Sequence, residues 1–321
     1  MIDPTIENPC PDTVNFFCPF KSEEDFHTYL LWITPRLEQS ELKRKNDTGA
    51  IVLTGKLRNM RVRVSRSGVW IMGSLCVFYK GNNYYTMTRN EVMLCILSLQ
   101  VALGLSLLEA SVRRIDFGCC LKMREKPESY FIVLGTCGKF ESWQREHSFY
   151  YETGYKTLIF YNKKIEMKSR NFSNLPEQIH CNTLRYEIRL KKQLSYQLNR
   201  EQVLVKDLYD EAFYKGMIDR WANEYERIHK NRTLAPITNT LSCKDGVEYT
   251  LSSLMILQGI NNVTRIIDVV KDKFTRGSYS RYLKKLKTLK FLSKESHLAA
   301  ELNAKILQVK EYAQLIASDG E

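Results

Sequence analysis

The sequence predicts an α+β fold: a mainly antiparallel sheet with a packed helix in an N-terminal domain over residues 1–200, then an all-helical region over 201–321. Three observations predict it. Up to about residue 190, short segments place apolar residues at every second position, the spacing at which alternate side chains share one face of a strand. One long apolar stretch, 92–108, interrupts them. Beyond residue 200 the apolar spacing turns helical over 203–229, 249–272, 278–290 and 294–317, and strand-like runs largely disappear.

In chain order, 50–54 and 59–65 alternate or run β-branched, and 69–79 reads as one or two strands closed by the turn signal Lys80-Gly-Asn-Asn83. Thr88 followed by Glu91 fits a capping box opening a helix from about residue 89 to 110. Its apolar stretch is 17 residues long and holds Ser98, Gln100 and Ser106. A membrane span needs about 20 apolar residues, so this is a core helix. Strands over 112–122 and 130–134 come next. Segments 147–152 and 155–161 flank Thr153-Gly154 as a hairpin, and a polar loop around Asn171 and Pro176 leads to a strand over 183–190. A loop containing Pro236 separates the later helices.

A chain of 321 residues with 44% hydrophobic and 26% charged content has ample core for one large domain or two modest ones. Its net charge of +12 points to a polyanionic partner, of which nucleic acid is the commonest. The nine cysteines are scattered without a C-x-x-C pair, which argues against a disulfide framework or a zinc site and for a reducing cytosol. Met1-Ile-Asp-Pro begins no basic n-region with an apolar follow-on, so no signal peptide is expected.

Three strand-like segments carry the chemistry. In 112–118, Arg114 and Asp116 oppose Ile115 and Phe117; in 157–163, Thr157, Ile159 and Tyr161 oppose Leu158 and Phe160; in 184–190, Arg185, Glu187 and Arg189 oppose the apolar set. If these strands are neighbours, Asp116, Tyr161 and Glu187 converge on one polar face while its reverse covers the core helix. Two carboxylates suit a hard divalent cation that neutralises charge at a phosphodiester. A tyrosine nucleophile has an ordinary pKa of about 10 and needs a metal, a base or nearby positive charge. Lys163 and Lys164 offer that charge, and Glu166 offers a base or a third ligand. The plainer alternative is that Arg185 or Arg189 simply pairs with Glu187, and that Tyr161 packs like most of the 18 tyrosines.

The wording of these segments resembles the filamentous-phage gene II/gene X replication proteins and their phage or plasmid relatives. Arg114-Ile-Asp116 resembles that family's R-I-D strand; Thr157-Leu158, Tyr161, Lys163 and Glu166 follow its T-L-x-x-Y-x-K-x-x-E pattern; Leu184-Arg-Tyr-Glu-Ile-Arg189 resembles its aromatic-Glu strand. Ser280-Arg-Tyr-Leu-Lys-Lys-Leu286 resembles a later S-R-Y element. The resemblance implies a rolling-circle initiator that nicks one strand at an origin and later rejoins the displaced strand into a circle. It implies Tyr161 as nucleophile, Asp116 and Glu187 as ligands of Mg²⁺ or Mn²⁺, and Lys163 and Glu166 as catalytic assistants. Its partners would be origin DNA and host helicase and polymerase, in the cytoplasm of a bacterial host and with no membrane. Some relatives carry an acidic residue directly after the tyrosine, where this chain has Asn162. No two of His27, His147, His180, His229 and His297 lie two residues apart, so either metal binding rests on carboxylates or there is no metal and the nicking reading fails.

For DNA contact, Arg276, Arg281, Lys284, Lys285, Lys287 and Lys290 interleave with Tyr279, Tyr282 and Phe291, cations for phosphates and aromatics for unpaired bases. Arg114, Lys164 and Arg185 are expected to join them at the catalytic face, and Arg61, Arg63 and Arg66 form a second basic strip. A non-catalytic origin-binding initiator or repressor is the alternative function; a structural or RNA-binding protein is the third.

Overall fold

The computed structural model describes residues 8–44, 49–170, 182–231 and 296–318, with a few positions between 233 and 294. Its centre is one ten-stranded antiparallel sheet. The strands are β1 (Cys10–Pro19), β2 (Glu38–Arg44), β3 (Ile51–Leu57), β4 (Met60–Ser65), β5 (Gly68–Ser74), β6 (Ser111–Lys122), β7 (Glu141–Arg145), β8 (Ser148–Glu152), β9 (Lys156–Asn162) and β10 (Thr183–Leu190). Their spatial order is β2-β3-β4-β5-β1-β6-β10-β9-β8-β7. The three chemistry-bearing strands are therefore adjacent, with β10 between β6 and β9.

One sheet face is apolar and covered. Val62, Val64, Val69, Ile71, Ile115, Phe117, Leu184, Tyr186, Ile188, Leu158 and Phe160 point into it and are buried. Helices α1 (Glu23–Ile33), α2 (Leu75–Lys80) and α3 (Arg89–Leu103) supply Phe26, Ile33, Leu75, Val92, Ile96 and Leu99 to the same core. α3 opens on the expected capping box, Thr88 with Glu91. It stops at residue 103 rather than 110 because Gly104 takes a left-handed φ of 60° and donates its N–H back to Gln100 and Val101 carbonyls. Among the described residues no helix is long and apolar enough to cross a membrane.

Two short helices, α4 (Lys163–Ser169) and α5 (Leu194–Leu198), flank the last strand. Past residue 200, α6 (Glu211–Glu226) and α7 (His297–Ser318) join the core. Trp221 and Tyr186 bond reciprocally, indole N–H to one carbonyl at 3.3 Å and phenol to the other at 3.1 Å. α7 lays Leu302, Ile306 and Val309 into the same cluster and ties to α6 through Gln314 and Asp219 at 2.6 Å. The segments expected as helices over 249–272 and 278–290 lie outside the described residues, apart from Ser280 and Lys284, which are helical.

Other corrections are local. Residues 75–80 have strand composition but form α2, because Ser74 caps it through the Val77 N–H and Gly81 closes it at φ 78°. Residues 130–133 of the strand-like segment 130–134 lie in a 3-10 helix, Pro127–Val133, started by the proline in its first turn, and only Leu134 is extended, bridging to Lys230. Directly after β9 the chain turns into α4, which strand alternation does not foresee; the polar loop expected around Asn171 and Pro176 lies outside the described residues. Strands β1, β2 and β7 add to the set that alternation predicts.

Candidate active site

Register decides which side chains meet. Residues directly opposite in paired strands share a face, and Arg189 lies opposite Asp116, Glu187 opposite Gly118 and Ile159, and Arg185 opposite Tyr161. Asp116, Glu187 and Tyr161 thus converge as the alternation predicts. Gly118 makes room for this. A Cβ there would sit 2.2 Å from the Tyr186 carbonyl oxygen and 3.0 Å from Glu187 Cγ.

The hydroxyl of Tyr161 donates to Glu187 Oε1 at 2.7 Å. The same oxygen accepts from Arg185 Nε at 2.8 Å, and Oε2 accepts from Arg189 at 3.1 and 3.3 Å. Asp116 is gripped by Arg114 through two bonds of 2.8 and 2.6 Å, and Arg189 Nε lies 3.4 Å from its Oδ2. Arg189 therefore bridges the two carboxylates. Arg185, expected on DNA, is instead fully buried between Glu187 and Asp12 of β1, with its second contact at 3.2 Å. Asp12 is a site residue that sequence reasoning misses. It also accepts from Ser74 and from Asn83 Nδ2 (3.1 Å), and the segment carrying Asn83 lies over this end of the polar face.

Lys163 is fully buried, donates to Asn83 Oδ1 and Glu166 Oε2 at 2.8 Å each, and sits 5.8 Å from the Tyr161 ring centre. Glu166 also pairs with Arg170 at 2.5 Å, so two cations hold its carboxylate. Lys164 is half-buried on α4. Asn162 caps α4 through the Ile165 N–H (3.2 Å) and donates to Glu128 (2.9 Å), a structural duty that explains an amide beside the tyrosine. Lys284 is exposed; Arg276, Arg281, Tyr282 and Lys285 lie outside the described residues.

Burial and charge act in opposite senses on the two carboxyls. For Glu187, burial raises its pKa, but Arg189, Arg185 and the Tyr161 hydroxyl outweigh this and hold it far below the ordinary carboxylate range. For Asp116 burial wins, and its pKa rises despite Arg114 and Arg189. Burial and the Glu187 charge keep the Tyr161 phenol firmly protonated. The interior is close to neutral: Asp12, Asp116, Glu166 and Glu187 face Arg114, Lys163, Arg185 and Arg189.

A metal reading must meet this geometry. Among the described residues no group of three or more His, Cys, Asp or Glu side chains is arranged around a point that would hold an ion. Two carboxylates sharing one cationic group remain, and Arg189 stands between them. That fits Mg²⁺ in kind, because this ion is commonly held by one or two carboxylates together with substrate phosphate. It fits only once Arg189 moves aside. Arg189 and Arg114 are the members able to do so, each with a side chain 29% exposed.

A family model described as the N-terminal domain of a phage replication-associated protein of the gene II type matches residues 40–212, more than half of the chain. The matched span holds Asn83, Asp116, Tyr161, Lys163, Glu166, Glu187 and Arg189; Asp12 lies before it. No curated protein matches the chain.

Proposed function

This chain belongs to the gene II-type family of filamentous-phage replication-associated proteins, and from that premise we propose that it initiates rolling-circle replication by nicking one strand of origin DNA with Tyr161. The observation that carries this reading is the 2.7 Å bond from the Tyr161 hydroxyl to an ionised, buried carboxylate.

In the proposed step the Tyr161 oxygen attacks a phosphorus of the strand. A phosphotyrosyl ester forms, the bond to the 3′-oxygen breaks, and the tyrosine proton passes to Glu187 and on to the departing 3′-hydroxyl. Glu187 is a weak base at its depressed pKa, so it serves chiefly to aim the hydroxyl and accept its proton as the new bond forms. Arg114 and Arg189, at the solvent edge, swing from the carboxylates to the phosphate oxygens, where guanidinium matches the anion bidentately. Asp116 and Glu187 would then hold Mg²⁺ or Mn²⁺, which supplies charge neutralisation at the phosphoryl group when bound. Lys163 fixes Asn83 and Glu166 behind the tyrosine ring. Because the ester conserves the energy of the broken bond, a free 3′-hydroxyl can attack it and reseal the strand into a circle without ATP. Host helicase and polymerase, in the cytoplasm of a bacterial host, would act on the exposed 3′ end.

The test is incubation with a supercoiled plasmid bearing the origin of this protein's own element, with Mg²⁺, read as nicked circles and as a covalent protein–DNA adduct. Tyr161→Phe abolishes both while DNA binding persists. An adduct formed by that variant assigns the nucleophile elsewhere. The full engagement of Asp116 and Glu187 by arginines favours one second reading, a non-catalytic origin-binding initiator or repressor. It expects binding unaffected by chelator and no nick in wild-type protein.

A further inference from the structure

The interior of the catalytic face is nearly neutral, so attraction for a polyanion has to come from elsewhere on the molecule. The polar face continues past β6. Asn15 lies opposite Arg114 and Met72; Phe17 lies opposite Trp70, Trp70 opposite Arg63, Met72 opposite Arg61, and Arg61 opposite Lys56. Each pair shares the face that carries Asp116. Over β1, β5, β4 and β3 this face is concave, with a cavity of about 450 Å³, within the size range of small-ligand sites.

Three features set this cavity apart from a solvated basic strip. First, Lys56, Arg61 and Arg63 line it, are exposed, and form no ion pair among the described residues, whereas every cation of the inner site is paired. Second, Trp70 is half-buried in the wall and backed by Phe17 at 4.6 Å between ring centres, which leaves a supported aromatic surface. Third, Asn15 Oδ1 is shielded from solvent and has no hydrogen-bond partner among the described residues, and this residue also lines the cavity. A shielded acceptor without a donor is costly unless something supplies one. Glu38, opposite Lys56 on β2, bounds the basic strip on its outer side.

We infer that this cavity is a binding site for an unpaired nucleotide of DNA, distinct from the phosphodiester that is cut. A base stacks on Trp70 and offers a ring or amino N–H to Asn15, as the N3–H of thymine can, while Arg61, Arg63 and Lys56 take the flanking phosphates. Stacking and phosphate contact together are how single strands are held without duplex. A cavity of this size admits a base and excludes a duplex. The Arg61 and Arg63 column is three strand spacings from Asp116 on β6, roughly 14 Å. One strand lying across the sheet therefore reaches both places. The inference rests on the DNA-nicking reading for its choice of ligand, but it is tested apart from cleavage.

The test uses full-length protein carrying Tyr161→Phe, in EDTA, with a fluorescent oligo-dT of about twelve nucleotides and a duplex of equal length; stability of each variant is checked by thermal unfolding. Trp70→Leu weakens oligo-dT binding about tenfold or more with its salt dependence unchanged. The pair Arg61→Ala with Arg63→Ala weakens it similarly and reduces the slope of log K against log salt by about 1.4, roughly 0.7 for each phosphate. Folded variants that bind like the parent overturn the inference. So does a duplex that binds as tightly as the single strand and with the same sensitivity to Trp70, because that describes a duplex surface. If wild-type protein never nicks an origin yet binds oligo-dT through Trp70, the cavity stands and the nicking reading falls. If it nicks normally and binding ignores Trp70 and both arginines, the reverse holds.

Discussion

Glu187→Gln removes one charge from a buried network while preserving side-chain size and an acceptor for Tyr161. In the folded protein the carboxylate takes Tyr161, Arg185 and Arg189 together, and Arg185 has no exposure through which water could replace it. Removing one partner of a buried ion pair costs about 3–5 kcal/mol. The glutamine retains some bonds, so a loss of about 3 kcal/mol at pH 7 is expected. The pH dependence is sharper evidence. The folded pKa of Glu187 lies below its unfolded value of 4.5, so its contribution is present above pH 4.5 and is lost as pH falls toward the folded value. One proton is worth about 1.36 kcal/mol per pH unit. Between pH 4.5 and pH 3 the wild-type protein therefore surrenders roughly 2 kcal/mol that the variant never had. Urea unfolding of both proteins, followed by circular dichroism at pH 7 and pH 3, measures the difference. It should shrink from about 3 to about 1 kcal/mol. An equal difference at both pH values would refute the claim that the arginines hold Glu187 ionised.

Gly118→Ala drives a methyl group into the β10 backbone and Glu187 Cγ, so it should cost roughly 2–3 kcal/mol by urea unfolding and, by displacing the carboxylate, lower nicking. Asn162→Ala loses the cap of α4, about 1 kcal/mol by thermal unfolding, and leaves any metal requirement of nicking unchanged, since the amide serves the helix and Glu128. Arg189→Gln withdraws the cation between Asp116 and Glu187; Mn²⁺ should then raise the variant's Tm more than the wild type's, and an equal rise would place the ion elsewhere.

Much of the site is legible because its strands alternate. Arg114-Ile-Asp-Phe117 and Arg185-Tyr-Glu-Ile-Arg189 each place a carboxylate on one face and core residues on the other, and both faces agree with the structure. What alternation cannot reveal is what lies over a face. Arg185 looks ready for DNA in the sequence, yet the segment carrying Asn83 and the Asp12 carboxylate enclose it. Asp12 escapes notice because its strand opens Cys-Pro-Asp, poor in strand signal, and its partner is 173 residues away in sequence. Strands β2 and β7 are exposed at every position, so they carry no apolar rhythm to read. The run Tyr130-Phe-Ile-Val-Leu134 has strand composition but follows Pro127, and the proline prevails. The basic stretch around residue 280 falls largely outside the described residues.

The position of β1 has a consequence for when the candidate site can assemble during synthesis. The first strand of the chain is inserted mid-sheet, beside β6, and its Asp12 neutralises Arg185 from β10. A chain still emerging from the ribosome already carries β1 but has no β10 to pair with β6. Until residue 190 is available, Tyr161 has no Glu187 to orient it, and Glu187 without β1 sits beside an arginine that lacks its second partner. Contacts this remote in sequence form late and cooperatively. Assembly of the candidate site is thus tied to completion of the fold: a truncated or half-synthesised copy has Tyr161 but not the carboxylate to which its hydroxyl donates.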